Sequence, residues 1–193
     1  AVFLETSEAQ DFDLTAEMVK RAITPRTKLV VINSPNNPSG SVVPDKEFEK
    51  ILEVTARADA YLLSDECYSH FVYDAKPFSI GSIASEKENM IVAGSLSKTY
   101  AMTGWRVGYA LAPAPIVAAM TKLQSHSTSN PSSIAQKAAV EALRGPQDSV
   151  TKMVAEYRRR RDFVVAKLRE IPGVTCTMPR GAFYAYPNLS AFI

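Results

Sequence analysis

Three short apolar runs, each closed by a polar residue, set the strongest constraint on how this chain folds. Residues 28–33 read Lys-Leu-Val-Val-Ile-Asn and lead into the breaker-rich Ser34-Pro35-Asn36-Asn37-Pro38-Ser39-Gly40. Residues 60–64, Ala-Tyr-Leu-Leu-Ser, stop at Asp65, and residues 90–94, Met-Ile-Val-Ala-Gly, stop at Ser95. Runs without polar alternation suit strands buried on both faces, which is the habit of parallel sheets. Between the first two lies 45–58, where Phe48, Ile51, Leu52 and Thr55 recur at helical spacing after Pro44, a residue suited to a helix start. A fourth strand is expected at 107–112. The pattern predicts an α/β fold: a mainly parallel sheet covered by helices on both sides, in three α/β/α layers.

Beyond residue 113 the character changes. Helices are predicted over 114–125, 132–144 and 148–170, with a Ser/Thr/Asn-rich break at 125–131. The last carries an apolar stripe of Val150, Met153, Val154, Tyr157, Val164, Val165 and Leu168, and would run roughly 34 Å at the helical rise. That length suits a connector between two units. Pro172-Gly173 stops it, and 174–178 and 183–186 read as two strands of a second unit. The expected division is 1–145 and 146–193.

Composition narrows the function. Of 193 residues, 46% are hydrophobic and 22% charged, as in ordinary globular proteins. The net charge of +2 is small for a nucleic-acid binder, and the only basic run, Arg158-Arg159-Arg160-Arg161, is expected to be a solvated helix face. No apolar run reaches the roughly 18 residues of a membrane span. Cys67 and Cys176 form no CxxC pair, and His70 and His126 stand alone, so no metal site is expected. Unpaired cysteines suit a reducing, cytoplasmic setting.

In open α/β sheets ligands bind at the carboxyl ends of the strands. Asn37, Asp65 and the segment Ser95-Leu96-Ser97-Lys98 should converge there. A lysine between a buried strand and a small-residue turn can be desolvated, which favours the neutral amine needed for a Schiff base. Ser95, Ser97 and Arg106 suit an anion, since arginine grips phosphate with two parallel hydrogen bonds. Each residue also has a plainer reading. Lys98 can be a surface lysine, Arg106 a salt-bridge partner, Asp65 a helix cap, Asn37 a turn residue and Tyr68 a core aromatic.

The wider pattern favours chemistry. Ser95-Leu96-Ser97-Lys98, followed by Arg106-Val107-Gly108, resembles the pyridoxal-phosphate attachment signature of the class I/II aminotransferases, the aspartate-aminotransferase-like enzymes of fold type I. Ser34–Gly40 resembles that family's Asn-Pro-Thr-Gly loop, and Ser64-Asp65-Glu66-Cys67-Tyr68 its Asp-Glu-x-Tyr element. Pro179-Arg180-Gly181-Ala182-Phe183-Tyr184 resembles the first strand region of its small domain. The resemblance implies part of a large cofactor domain, a long connecting helix and the start of a small α+β domain. It implies pyridoxal 5'-phosphate as cofactor, with Lys98 as the Schiff-base lysine and proton carrier. Asp65 would pair with the ring nitrogen, and Asn37 and Tyr68 with the phenolate oxygen. Ser95, Arg106 and, in support, Ser97 would bind the phosphate. Glu66, Tyr100 and Trp105 are expected to be structural.

The implied substrates are an amino acid, aspartate-type favoured, and a 2-oxo acid. The implied assembly is a homodimer, with Ser125–Pro131 approaching the neighbouring subunit's site. The resemblance further implies that the chain is a piece of a longer enzyme, holding the cofactor half of a site and little of the substrate half, and so weak or inactive alone. A C–S β-lyase of the same fold, or a non-catalytic fragment, would share these motifs.

Overall fold

The computed structural model describes residues 1–83 and 87–193. Its main sheet holds β1 (Leu29–Asn33), β2 (Tyr61–Asp65), β3 (Met90–Ser95) and β4 (Gly108–Leu111), in that order. β1, β2 and β3 are parallel, and β4 returns antiparallel to β3. The register sets Asn33 beside Asp65, and Asp65 beside Ala93. All three parallel strands therefore finish along one edge.

One face of the sheet is packed by α2 (Asp45–Arg57), whose Phe48, Ile51, Leu52 and Thr55 are buried as the spacing predicts. Phe48, Ile51 and Leu52 join Ile32, Leu62, Met90 and Val92 in the largest apolar cluster among the described residues. Each such side chain contributes roughly 1.5–3 kcal/mol when fully buried. A further helix, α1 (Ala16–Ala22), adds Ala16 and Val19 to this core. Sequence reading missed it because it spans only two turns. Its start is marked by Thr15, whose side chain accepts the Met18 N–H, and by the Ala16 N–H, which donates to Glu47 Oε1 at 3.0 Å.

The opposite face differs from the expectation of even cover. Leu29 and Val31 are 45% and 61% exposed there. β1 thus alternates in burial, because α1 and α2 pack on its Ile32 side and leave its Val31 side open. A second cluster forms around Leu96, Met102 and Val107 against Ala135 and Ala139 of α5 (Ser133–Arg144). α4 (Ala114–Ser125) precedes it, and the long helix α6 (Asp148–Arg169) follows.

The basic run on α6 is only in part a solvated face. Arg159 and Arg160 pair with Glu156 at the surface. Arg161, its side chain 10% exposed, turns inward. It bonds Asp74 and the Pro179 carbonyl and lies over the Tyr73 ring at 4.7 Å. It therefore ties α6 to two segments outside it.

The two strands predicted after α6 are also reshaped. Pairing is confined to β5 (Thr175–Cys176) and β6 (Pro187–Asn188). The backbone of 180–182 is taken up elsewhere: Tyr73 N–H donates to Arg180 O at 3.0 Å, and Ala182 N–H to Phe71 O at 2.8 Å. Phe183 and Tyr184 then pack on Tyr68 instead of extending a hairpin.

The same segment docks on the Asn36–Gly40 loop. Arg180 N–H and Gly181 N–H both donate to Gly40 O at 2.9 Å. Gly40 sits at φ +70°, and a Cβ there would collide with Pro179 and stand 3.0 Å from Gly181 O. Only glycine meets both demands. Gly40→Ala is expected to destabilise the fold by about 1–3 kcal/mol, read as a lowered midpoint in chemical denaturation. An unchanged midpoint would show that the loop and the 179–181 segment do not depend on this contact.

Candidate active site

The parallel register brings the polar strand ends together. Asn33 closes β1 and works in two directions: its Oδ1 accepts the Asn37 N–H at 2.9 Å, and its Nδ2 donates to Asp65 O at 3.3 Å. It was not singled out from sequence, although a polar residue ending an apolar run was the signal. Asn37 is thereby fixed to the end of β2 through Asn33. Both Ser34-Pro35 and Asn37-Pro38 are cis.

Asp65 closes β2. Its Oδ1 accepts the Cys67 N–H at 3.1 Å and so closes a turn; no helix follows, and the helix-cap reading does not hold. A carboxylate has lone pairs beyond one such bond and can serve a second partner. Cys67, just beyond, is pushed up to about 12 by burial, with the Asp65 charge and a hydrogen bond to it adding to the effect. It is therefore a protonated thiol at neutral pH and no nucleophile.

After β3 the chain enters one short helical turn, α3 (Leu96–Thr99). Ser95 Oγ caps it by accepting the Ser97 N–H at 3.1 Å. The Ser95 hydroxyl proton is left to donate outward. Ser97 is anchored through its carbonyl, which accepts from Thr103 Oγ1 at 3.0 Å. The antiparallel return sets Gly108 opposite Ser95 and so carries Arg106 back to this end of the sheet. Arg106 adopts φ +53°, is exposed, and donates through Nη1 to Thr103 O at 2.9 Å. Its remaining N–H groups are not used in that bond. It makes no hydrogen bond to Ser95 or Ser97, so the three side chains expected to hold an anion are not joined to one another.

Lys98 lies partly buried on α3, its Nζ 5.9 Å from the centroid of the Phe183 ring. Tyr68 is 5% exposed, edge-on to both Phe183 and Tyr184, and its hydroxyl lies 2.7 Å from that of Tyr184. Burial, with the Tyr184 bond second, raises the Tyr68 pKa, so its phenol keeps its proton at neutral pH. Phe183 and Tyr184 had read as strand residues of a second unit. Their place beside Lys98 and Tyr68 arises from the long-range docking of 180–182 on 71–73, which local pattern does not encode.

The α/β sheet brings a lysine, a carboxylate, two phenols, two serines and an arginine toward its carboxyl end, where open α/β sheets bind ligands. Known proteins give it a family. The model of the class I and II aminotransferases matches residues 1–192, and the chain belongs to that family. It is 46% identical over 189 residues to an aspartate aminotransferase of Geobacillus stearothermophilus, covering 97% of this chain and 48% of that protein. It is 44% identical over 185 residues to an aspartate/prephenate aminotransferase of Cereibacter sphaeroides, covering 94% and 46%. Among solved structures, a double mutant of Thermus thermophilus aspartate aminotransferase superposes with a TM-score of 0.93 at 40% identity, covering all of this chain and 50% of that one. The chain spans about half the length of the curated relatives it matches. Its fold is part of the fold type I architecture of those enzymes.

Glu66, beside Asp65, is structural, as expected. It is 8% exposed and its Oε1 accepts the Ile80 N–H at 3.0 Å. Burial raises its pKa above the ordinary 4.5, and bonds from Ser79 and Ile80 oppose that rise. The folded chain then holds this proton more tightly than the unfolded one, so stability falls as pH climbs from 4.5 through the raised value. Glu66→Gln keeps the carbonyl acceptor and removes the titration. Between about pH 4 and pH 7 its thermal midpoint should gain steadily on that of the wild type. Parallel midpoints across that range would contradict the assignment.

Proposed function

We propose that this chain carries the cofactor half of a pyridoxal-phosphate-dependent aminotransferase that moves an amino group from an amino acid, aspartate-type, to a 2-oxo acid. The observation that carries this reading is the alignment of Asn37, Asp65 and Ser95–Lys98 along one sheet edge, with Asn33 tying Asn37 to the end of β2. The donor set fits the cofactor: an amine for its aldehyde, a carboxylate for its ring nitrogen, two donors for its phenolate oxygen, and hydroxyls with a guanidinium for its phosphate. Bound, the cofactor supplies an electron sink for charge at the substrate's Cα.

The protein's residues do the rest. Lys98 Nζ is the attachment point and, once released, the base that takes the proton from the substrate's Cα. Asp65 holds a positive charge at the ring nitrogen. Asn37 and Tyr68 donate to the phenolate oxygen. Ser95 and Ser97, with the free N–H groups of Arg106, hold the phosphate. In this reading residues 1–145 form the later part of the large domain, and 146–193 form the connecting helix and the opening of the small one. Its parent enzyme is a cytoplasmic homodimer. The aspartate preference is supported by relatives that carry that activity in their names.

Titrating the chain with pyridoxal phosphate should produce a visible absorbance band. Lys98→Ala should abolish it, and Asp65→Ala should weaken binding about tenfold or more, the size of a lost charge-assisted bond. Transaminase turnover by the 193-residue chain should be slight. Absence of the band in the wild type would favour a non-catalytic piece. Elimination from a cysteine-type thioether by the parent enzyme, without amino transfer, would favour the β-lyase.

A further inference from the structure

The site holds one phenol more than the cofactor assignment uses. Tyr184 belongs to the segment beyond α6, yet its hydroxyl lies 2.7 Å from that of Tyr68. Two features fix it there. The backbone of 180–182 is bonded to Gly40 on one side and to Phe71 and Tyr73 on the other, and Tyr73 Oη donates to Ala182 O. Phe183 fills the space between, 5.1 Å from the Tyr157 ring of α6, 5.4 Å from Phe71 and 5.3 Å from Tyr68. Tyr184 is thus delivered to Tyr68 by packing on both flanks, with its ring 5.6 Å from that of Tyr68.

We propose that Tyr184 is a positioning residue that acts through Tyr68, donating its hydroxyl proton to the Tyr68 oxygen so that Tyr68 directs its own proton to the cofactor's phenolate oxygen. A phenol has one proton and two acceptor lone pairs. When Tyr68 spends its proton on an anionic oxygen, its contact with Tyr184 survives only if Tyr184 donates. A hydroxyl that accepts a hydrogen bond is also the better donor, because bonds in a chain polarise one another. Tyr184 then sets both the direction and the strength of the Tyr68 bond. It also links the segment after α6 to a cofactor contact made by residues before it. This inference rests on the cofactor reading above.

A double-mutant cycle on the 193-residue chain tests it. Pyridoxal-phosphate affinity is read from the visible band in wild type, Tyr184→Phe, Tyr68→Phe and the double variant. Tyr184→Phe keeps the ring and should weaken binding about fivefold, the size of one neutral hydrogen bond. In the Tyr68→Phe background the same change should have almost no effect. An equal loss in both backgrounds would overturn the inference, because Tyr184 would then act on structure alone. So would no loss in either background while the wild type binds normally. Failure of the wild type to bind would overturn the cofactor reading and this inference with it. A readout without any variant effect on folding comes from 19F spectra of the fluorotyrosine-labelled wild type. The Tyr184 resonance should move with that of Tyr68 when pyridoxal phosphate is added, and a stationary Tyr184 resonance would count against the proposal.

Discussion

The parallel register of β1, β2 and β3 is the constraint on which everything else depends. It sets Asn33 against Asp65 and Asp65 against Ala93. A one-residue slip would turn every side chain of a strand to the other face. Ile32 and Leu62 would leave the core, and Asp65 would leave the site. The burial of Ile32, Leu62 and Val92 under α2 therefore holds the register, and the register holds the polar strand ends together. Core packing and site geometry are here one problem, solved by the same strands.

A second layer of order comes from the far end of the chain. The 179–184 segment docks on Gly40 and on 71–73, and Arg161 of α6 reaches the carbonyl of Pro179 and the carboxylate of Asp74. An arginine with most of its surface removed from water needs such partners to offset its lost hydration. The asparagine loop, the tyrosine after β2 and the aromatic pair Phe183–Tyr184 are thereby assembled from three stretches far apart in sequence. The Asp13–Arg180 ion pair adds the N-terminal stretch to the same assembly.

Much of this was legible in the residues. Apolar runs at 28–33, 60–64 and 90–94 marked three strands to within a residue or so, and the spacing of Phe48, Ile51, Leu52 and Thr55 marked both α2 and its buried face. The polar strand ends meet along one sheet edge, as the pattern expects. What stayed hidden had a common cause, which is that it depended on long-range packing. Exposure of Val31 depends on what lies over β1, not on valine. Inward rotation of Arg161 depends on Asp74 and Pro179. Phe183 and Tyr184 belong to a run that locally resembles a strand, yet the backbone at 180–182 bonds to Phe71 and Tyr73. α1 went unread because two helical turns offer too few positions for a period to show.

In the proposed reading the sheet edge prepares one lysine, Lys98, for the cofactor. Borohydride reduction of the chain mixed with pyridoxal phosphate, followed by peptide mapping, shows which lysine reacts. At stoichiometric cofactor the pyridoxyl label should be found on the peptide that carries Lys98. Label spread over exposed lysines such as Lys50 and Lys167, with no preference for Lys98, would contradict it.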